Sequence, residues 1–166
     1  MIPALLRSRV AAAALAGALS MAAALAMWFE GYEPVPYKDP VGIWTVCHGH
    51  TAAGGMGAIE QGRYYSAEEC AAFLDRDLQS AFAALDRHVT RALPDKTRAA
   101  IVSFIFNVGE TKFKNSTLLR LLNAGEGLRA CDQLLRWTYA GGRQLRGLVK
   151  RRQAEHALCV QGFIEA

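Results

Sequence analysis

The sequence predicts an α+β fold, a small antiparallel sheet followed by a predominantly helical body, with a weakly apolar helix at its start. Three observations predict it. Prolines and glycines punctuate short apolar and aromatic stretches from Gly31 to Gly62, the pattern of short strands and tight turns. Beyond Gly62 the hydrophobic period becomes helical. With 166 residues the chain is long enough for one compact domain and a core of its own. At 52% hydrophobic it is neither a disordered chain nor a disulfide-dense miniprotein.

The first element follows Arg7 and Arg9. Val10 to Phe29 carries no charge, and twenty helical residues cover about 30 Å, the hydrocarbon thickness of a bilayer. The two arginines before it and Glu30 and Glu33 after it orient the segment with its N-terminus in the cytoplasm. Half of it is alanine, with Gly17 and Ser20 added, so insertion is only weakly favourable. A cleaved signal peptide (Ala24-Leu25-Ala26), a permanent anchor and a reversible anchor compete for this segment. We divide the chain into residues 1–29, this leading segment, and residues 30–166, the body of the fold.

The next elements belong to the turn-rich stretch. Asp39-Pro40-Val41-Gly42 reads as a turn between Tyr37 and the run Ile43-Trp44-Thr45-Val46, giving a hairpin or a three-stranded sheet. Gly49, Gly54, Gly55 and Gly57 continue the turn-rich character. Ser66-Ala67-Glu68-Glu69 is a capping box opening a helix to about His88. Pro94-Asp95 opens another that stops at Gly109; it is apolar on most sides and reads as the central core helix. Asn115 or Ser116 opens a short helix ended by Asn123 to Gly125. Leu128, Cys131, Leu134 and Leu135 mark the next, Gly141-Gly142 breaks the chain, and a last amphipathic helix runs from about Leu145 to Val160.

Candidate chemistry begins with two carboxylates and a threonine. Glycosidic cleavage needs a protonated acid at the leaving oxygen and a second carboxylate near the anomeric carbon. Glu30 sits where the apolar helix meets the turns, a place that favours partial desolvation and suits a general acid. Asp39 falls at the hairpin turn and Thr45 on the returning strand, so a short hairpin brings both to one wall of a cleft that Glu30 faces. Taken singly, each residue is equally explained by turn chemistry or solvation.

The spacing Glu-x8-Asp-x5-Thr in EGYEPVPYKDPVGIWT resembles the catalytic signature of phage-type lysozymes, glycoside hydrolase family 24. Phe106-Asn107-Val108-Gly109, Ser116-Thr117-Leu118-Leu119-Arg120, Leu122-Asn123-Ala124-Gly125, Trp137 with Gly141-Gly142, and Gly147-Leu148-x-x-Arg151-Arg152-x-x-Glu155 resemble its later motifs in the same order. The resemblance implies a phage lysozyme-like fold and a muramidase that hydrolyses the β-1,4 bond between N-acetylmuramic acid and N-acetylglucosamine of peptidoglycan. It implies Glu30 as general acid, with Asp39 and Thr45 holding the attacking water and Asp39 stabilising charge at the anomeric carbon. An inverting course follows from the same resemblance and needs carboxyls about 6.5–9.5 Å apart. Phe106 and Ser116 carry over as cleft residues that bind substrate. Arg151 and Arg152 pair with acidic groups near the cleft or are solvated surface arginines; the residues leave both open.

A weak N-terminal span joined to this signature is similar to the signal-arrest-release endolysins of lambdoid phages. That likeness implies tethering to the host inner membrane through residues 10–29, the catalytic body in the periplasm, and later release there as a monomer. In that group a Gly/Ser-rich stretch tends to separate span from glutamate, whereas here Phe29 abuts Glu30.

Cys47, Cys70, Cys131 and Cys159 allow three pairings, and an exported domain can oxidise them. Cys47 and Cys70 flank the sheet, and Cys131 and Cys159 lie on inner faces of two late helices. We favour those two pairs, with buried free thiols as the alternative. Cys47-His48-Gly49-His50 invites a zinc reading, but no CxxC or HExxH accompanies it, and neither metal nor other cofactor is expected. The family resemblance implies that His50 is a structural histidine bonded to a carboxylate. The net charge of +4 suits an anionic polymer such as the cell wall, or a bilayer surface. Lys112, Lys114 and Lys150 to Arg152 are scattered and accompany no nucleic-acid motif, so nucleic acid is not an expected partner.

Overall fold

The structure, a computed structural model, describes residues 3–39, 42–52 and 58–166. The expected turn at Pro40 and Val41, and Gly54, Gly55 and Gly57, lie outside the described residues.

The N-terminal segment does not form one continuous helix. Helix α1 (Ala4–Ala13) passes through a 3₁₀ turn at Ala14–Ala16 to Gly17, and helix α2 (Ala18–Glu30) begins after it. Gly17 has φ +87° and ψ −173°, which no helix accommodates and which glycine alone adopts without strain. Consequently no helix among the described residues is long and apolar enough to cross a membrane. Instead Leu6 and Val10 of α1 and Met21, Ala22, Leu25 and Ala26 of α2 are buried in the main core. Residues 18–29 therefore share a core with the helices that follow residue 30.

Three antiparallel strands come next in the order β1 (Glu33–Lys38), β2 (Trp44–Cys47), β3 (His50–Thr51). Tyr37 faces Thr45, and Thr45 faces Thr51. The β1–β2 register slips between Glu33 and Tyr37, where Pro34 and Pro36 cannot donate ladder hydrogen bonds.

Helix α3 (Ala67–His88) opens with the expected capping box: Glu69 N–H donates to Ser66 Oγ, and Ser66 N–H donates to the Glu69 carboxylate. Helix α4 (Asp95–Val108) is the buried centre, with Thr97 and every residue from Ala99 to Ile105 out of solvent. Gly109, at φ +86°, ends it and turns the chain into α5 (Glu110–Lys114), a short helix that the sequence reading had missed. Helices α6 (Thr117–Asn123) and α7 (Gly127–Leu134) follow. Gly141-Gly142 is a hairpin turn rather than a simple break, joining strands β4 (Tyr139–Ala140) and β5 (Arg143–Gln144); both glycines have positive φ, as such two-residue turns require. Helix α8 (Arg146–Glu165) closes the chain and runs one turn beyond its expected end at Val160.

Helices α4 and α8 approach so closely at Gly162 that a Cβ there would lie 2.3 Å from Thr97 Oγ1. Thr97 Oγ1 donates to the Cys159 carbonyl at 3.0 Å across the same contact. Disulfides join Cys47 to Cys70, tying the sheet to α3, and Cys131 to Cys159, tying α7 to α8.

Candidate active site

Glu30 is the last residue of α2, and Gly31, at φ +73°, turns the chain away immediately after it. The carboxyl therefore projects from a helix end fixed in the core, with 22% of the side chain exposed. The turn between β2 and β3 closes over it. A Cβ on Gly49 would sit 3.3 Å from Glu30 Oε2, and His48 Nδ1–H donates to the Gly31 carbonyl. Cys47, just before, holds the left-handed φ of +61° and is bonded to Cys70. His50, just after, is paired through Nδ1 with Asp77 of α3 at 2.8 Å and stacks on Phe73. Cys47 and His50 thus tie this turn to α3, and His48 ties it to the residue after Glu30.

Behind Glu30 lies a charged cluster. Arg151 Nη1 donates to Glu30 Oε1, and Arg151 Nε donates to Glu155 Oε1 at 3.0 Å. Arg152 Nη1 donates to Glu155 Oε2 at 2.6 Å, and Ser103 Oγ donates to Glu155 Oε1 at 2.7 Å. Arg152 Nη2 donates to Asn107 Oδ1. Arg151, Arg152 and Glu155 are all buried. Of the two arginine readings, pairing near the cleft is the one found. Burial opposes the charge of Arg151, but the Glu155 and Glu30 carboxylates outweigh it and raise its pKa.

Glu30 opens into a groove of about 460 Å³ between the sheet, α3 and the α4–α5 junction. Its lining includes Gly49, Thr51, Asp77, Ser80, Phe106, Asn107 and Glu110. Thr45 on β2, and Asp39 just after the end of β1, are not among the described lining residues. Because directly opposed residues of antiparallel strands share a face, Tyr37, Thr45 and Thr51 form one row, and Thr51 is its groove end. Asp39 follows Tyr37 by two residues and accepts Ile43 N–H at Oδ1, 2.8 Å. Thr45 is nearly buried, and its hydroxyl donates to the Ile43 carbonyl at 3.2 Å. Burial pushes the Tyr37 phenol pKa up, and the Glu30, Asp39 and Glu33 carboxylates add to it, in that order, so this ring feels both candidate catalytic carboxylates.

Phe106 lies in the groove with Glu30. Ser116 does not: it caps α6, accepting Leu119 N–H and donating to the Phe113 carbonyl, and lines a separate recess with Gln133, Arg136 and Trp137. Its residue type reflects the cap. The sequence reading missed Asp77, Asn107 and Glu110. The stripe Asp77, Ser80, Ala81, Ala84, small and polar at helical spacing on an otherwise apolar face, was the available signal for that wall.

The phage lysozyme family model matches residues 27–155. The chain is 43% identical to a SAR-endolysin of Enterobacteria phage PA-2 and 42% identical to one of Enterobacteria phage P21; each match covers 97% of this chain and 99% of the relative. Among solved structures it resembles the muramidase domain of SpmX from Asticaccaulis excentricus, at 30% identity and a TM-score of 0.75, over 84% of this chain and 94% of that one. On its sequence and its fold, the chain belongs to the phage lysozyme family.

Proposed function

We propose that this chain is an endolysin that hydrolyses the β-1,4 bond between N-acetylmuramic acid and N-acetylglucosamine of peptidoglycan. The observation that supports it most is the Glu30 carboxyl at the base of an open groove, held by Arg151 and roofed by Gly49. In this reading Glu30 protonates the leaving oxygen, and Asp39 and Thr45 hold the attacking water, with Asp39 also stabilising positive charge at the anomeric carbon. As the water attacks the face opposite the leaving group its proton passes to the Asp39 carboxylate, and the product has inverted configuration. The endolysin relatives and the muramidase-domain neighbour support this substrate class.

The same reading assigns residues 10–29 an earlier location. The uncharged, alanine-rich segment first holds the chain in the host inner membrane, with the catalytic body in the periplasm. It then leaves the bilayer and seats as α1 and α2. Until it seats, Glu30 is held at the interface away from Asp39 and Thr45. The released protein acts in the periplasm as a monomer.

Turbidity loss of chloroform-treated Gram-negative cells tests the enzymatic claim. Wild type clears the suspension, and Glu30→Gln does not. Equal clearing by both, or by neither, overturns it. Asp39→Asn with full activity and anhydro products selects a lytic transglycosylase instead. Replacing Gly17 and several alanines of α2 by leucine traps the protein in the membrane fraction and delays lysis. Unchanged lysis timing refutes the release step.

A further inference from the structure

The groove contains a side chain whose polarity is set by a buried neighbour. Asn107, the next-to-last residue of α4, is exposed and lines the groove beside Phe106. An asparagine amide can face a partner with either its oxygen or its nitrogen. Here the choice is forced, because a guanidinium has donors only, and Arg152 is buried directly behind it. Oδ1 faces Arg152, and Nδ2 is left to project away from it. Of the other polar lining side chains, Glu30, Asp77 and Glu110 are carboxylates, and Thr51 and Ser80 are hydroxyls that can donate or accept. Among the described lining side chains, Asn107 alone presents a fixed, neutral donor. It does so next to the part-exposed ring of Phe106.

We propose that Asn107 is a specificity-determining residue that donates from Nδ2 to the acetamido carbonyl of the bound sugar, while the acetamido methyl rests on Phe106. This rests on the muramidase reading of the groove. A donor beside an apolar surface matches an acetamido group better than a bare hydroxyl, which needs no apolar neighbour, or a free ammonium, which needs an acceptor. Arg152 acts as a positioning residue: it touches no sugar but fixes which end of the amide the sugar meets.

Binding and turnover are compared on purified Gram-negative peptidoglycan, the same polymer chemically N-deacetylated, and that polymer re-acetylated. Binding is read by co-sedimentation in a Glu30→Gln background, which needs no catalysis. Wild-type sequence at 107 favours the acetylated polymers by at least about fivefold, the scale of one well-placed neutral hydrogen bond. Asn107→Ala brings the ratio toward one. Asn107→Asp still accepts from Arg152 but replaces the donor with a carboxylate, so the preference turns toward the deacetylated polymer and its ammonium groups. Ser8→Asp, on the exposed face of α1, adds the same charge far from the groove and leaves the ratio at its wild-type value. An effect on Glu30 acidity scales turnover of all three polymers alike and cancels in the ratio. Should Asn107→Ala fail to fold, Asn107→Asp decides alone. A wild-type ratio in Asn107→Asp, or no acetyl preference in the parent, overturns the proposal. Asn107-dependent acetyl preference in binding without any turnover by wild type supports this inference and removes the muramidase reading.

Discussion

Glu155 exposes no part of its side chain, yet it holds two arginines, and one of these holds Glu30. Removing one member of such a buried cluster leaves charge without compensation, at a cost of about 3–5 kcal/mol. Glu155→Gln should therefore lower the thermal midpoint by roughly 10 °C in calorimetry. It should also reduce clearing activity, because Arg151 loses the partner that fixes it. The motif Gly-Leu-x-x-Arg-Arg-x-x-Glu was legible, but the fate of its arginines was not. Two arginines and a glutamate on one helix stripe read equally well as a solvated face. Their burial is decided by Glu30 and Asn107, 121 and 45 residues earlier in the chain. Two solvent-facing carboxyls add a pH dependence of their own. The His88 hydrogen bond, assisted by Arg87, lowers the Glu110 pKa below its ordinary 4.5, and the Lys96 hydrogen bond does the same for Glu165. A carboxyl lowered in the folded state contributes stability above its ordinary value and loses it as pH falls through the folded one. Urea midpoints should thus fall between pH 5 and pH 3, and Lys96→Met should make the fall shallower. An identical acid limb in that variant would refute the assignment to Glu165.

Among the elements, the long helices were the most legible because their ends carry their own chemistry. Ser66 and Glu69 cap α3, and Pro94 and Gly109 bracket α4. Ser66→Ala should cost about 1 kcal/mol, read as a shifted denaturation midpoint. The break at Ala14–Gly17 was less legible, since alanine favours an unbroken helix and the one glycine in the run is a weak signal. What decides it is tertiary: Leu6 and Val10 on one side and Met21 and Leu25 on the other reach the core only if the chain bends between them. Helix α5 escaped detection because five residues carry too little periodicity to read. The α4–α8 contact was equally hidden, as nothing in the sequence marks Gly162 as a point of close approach. Gly162→Ala must move Thr97 or part the helices, and should destabilise by about 1–3 kcal/mol. A thermal midpoint equal to wild type would show that the contact is looser than its 2.3 Å spacing implies.

Across the whole molecule, the groove is assembled from distant parts: the end of α2, the sheet, α3, and the α4–α5 junction, with α8 behind. Sequence spacing pointed to Glu30, Asp39 and Thr45 as candidates, since all three belong to one local helix-to-hairpin unit, and of these Glu30 lines the groove. It could not locate the opposite wall, which arrives from α3 and α4 through tertiary packing alone. The disulfides bind these parts, closing separations of 23 and 28 residues, and each should contribute about 3 kcal/mol through the unfolded chain. Serine at Cys131 and Cys159 should lower stability by that amount with the groove intact. Serine at Cys47 and Cys70 should also depress activity, since that bond anchors the turn carrying His48 and Gly49; clearing assays and melting curves on both pairs distinguish the two effects. The pairing of Glu30 with Arg151 also bears on the order of synthesis. A nascent chain emerging from the ribosome completes its acid early and the side chain that steadies it only near the end. Incomplete translation products lacking α8 should accordingly be inert, whatever compartment they reach.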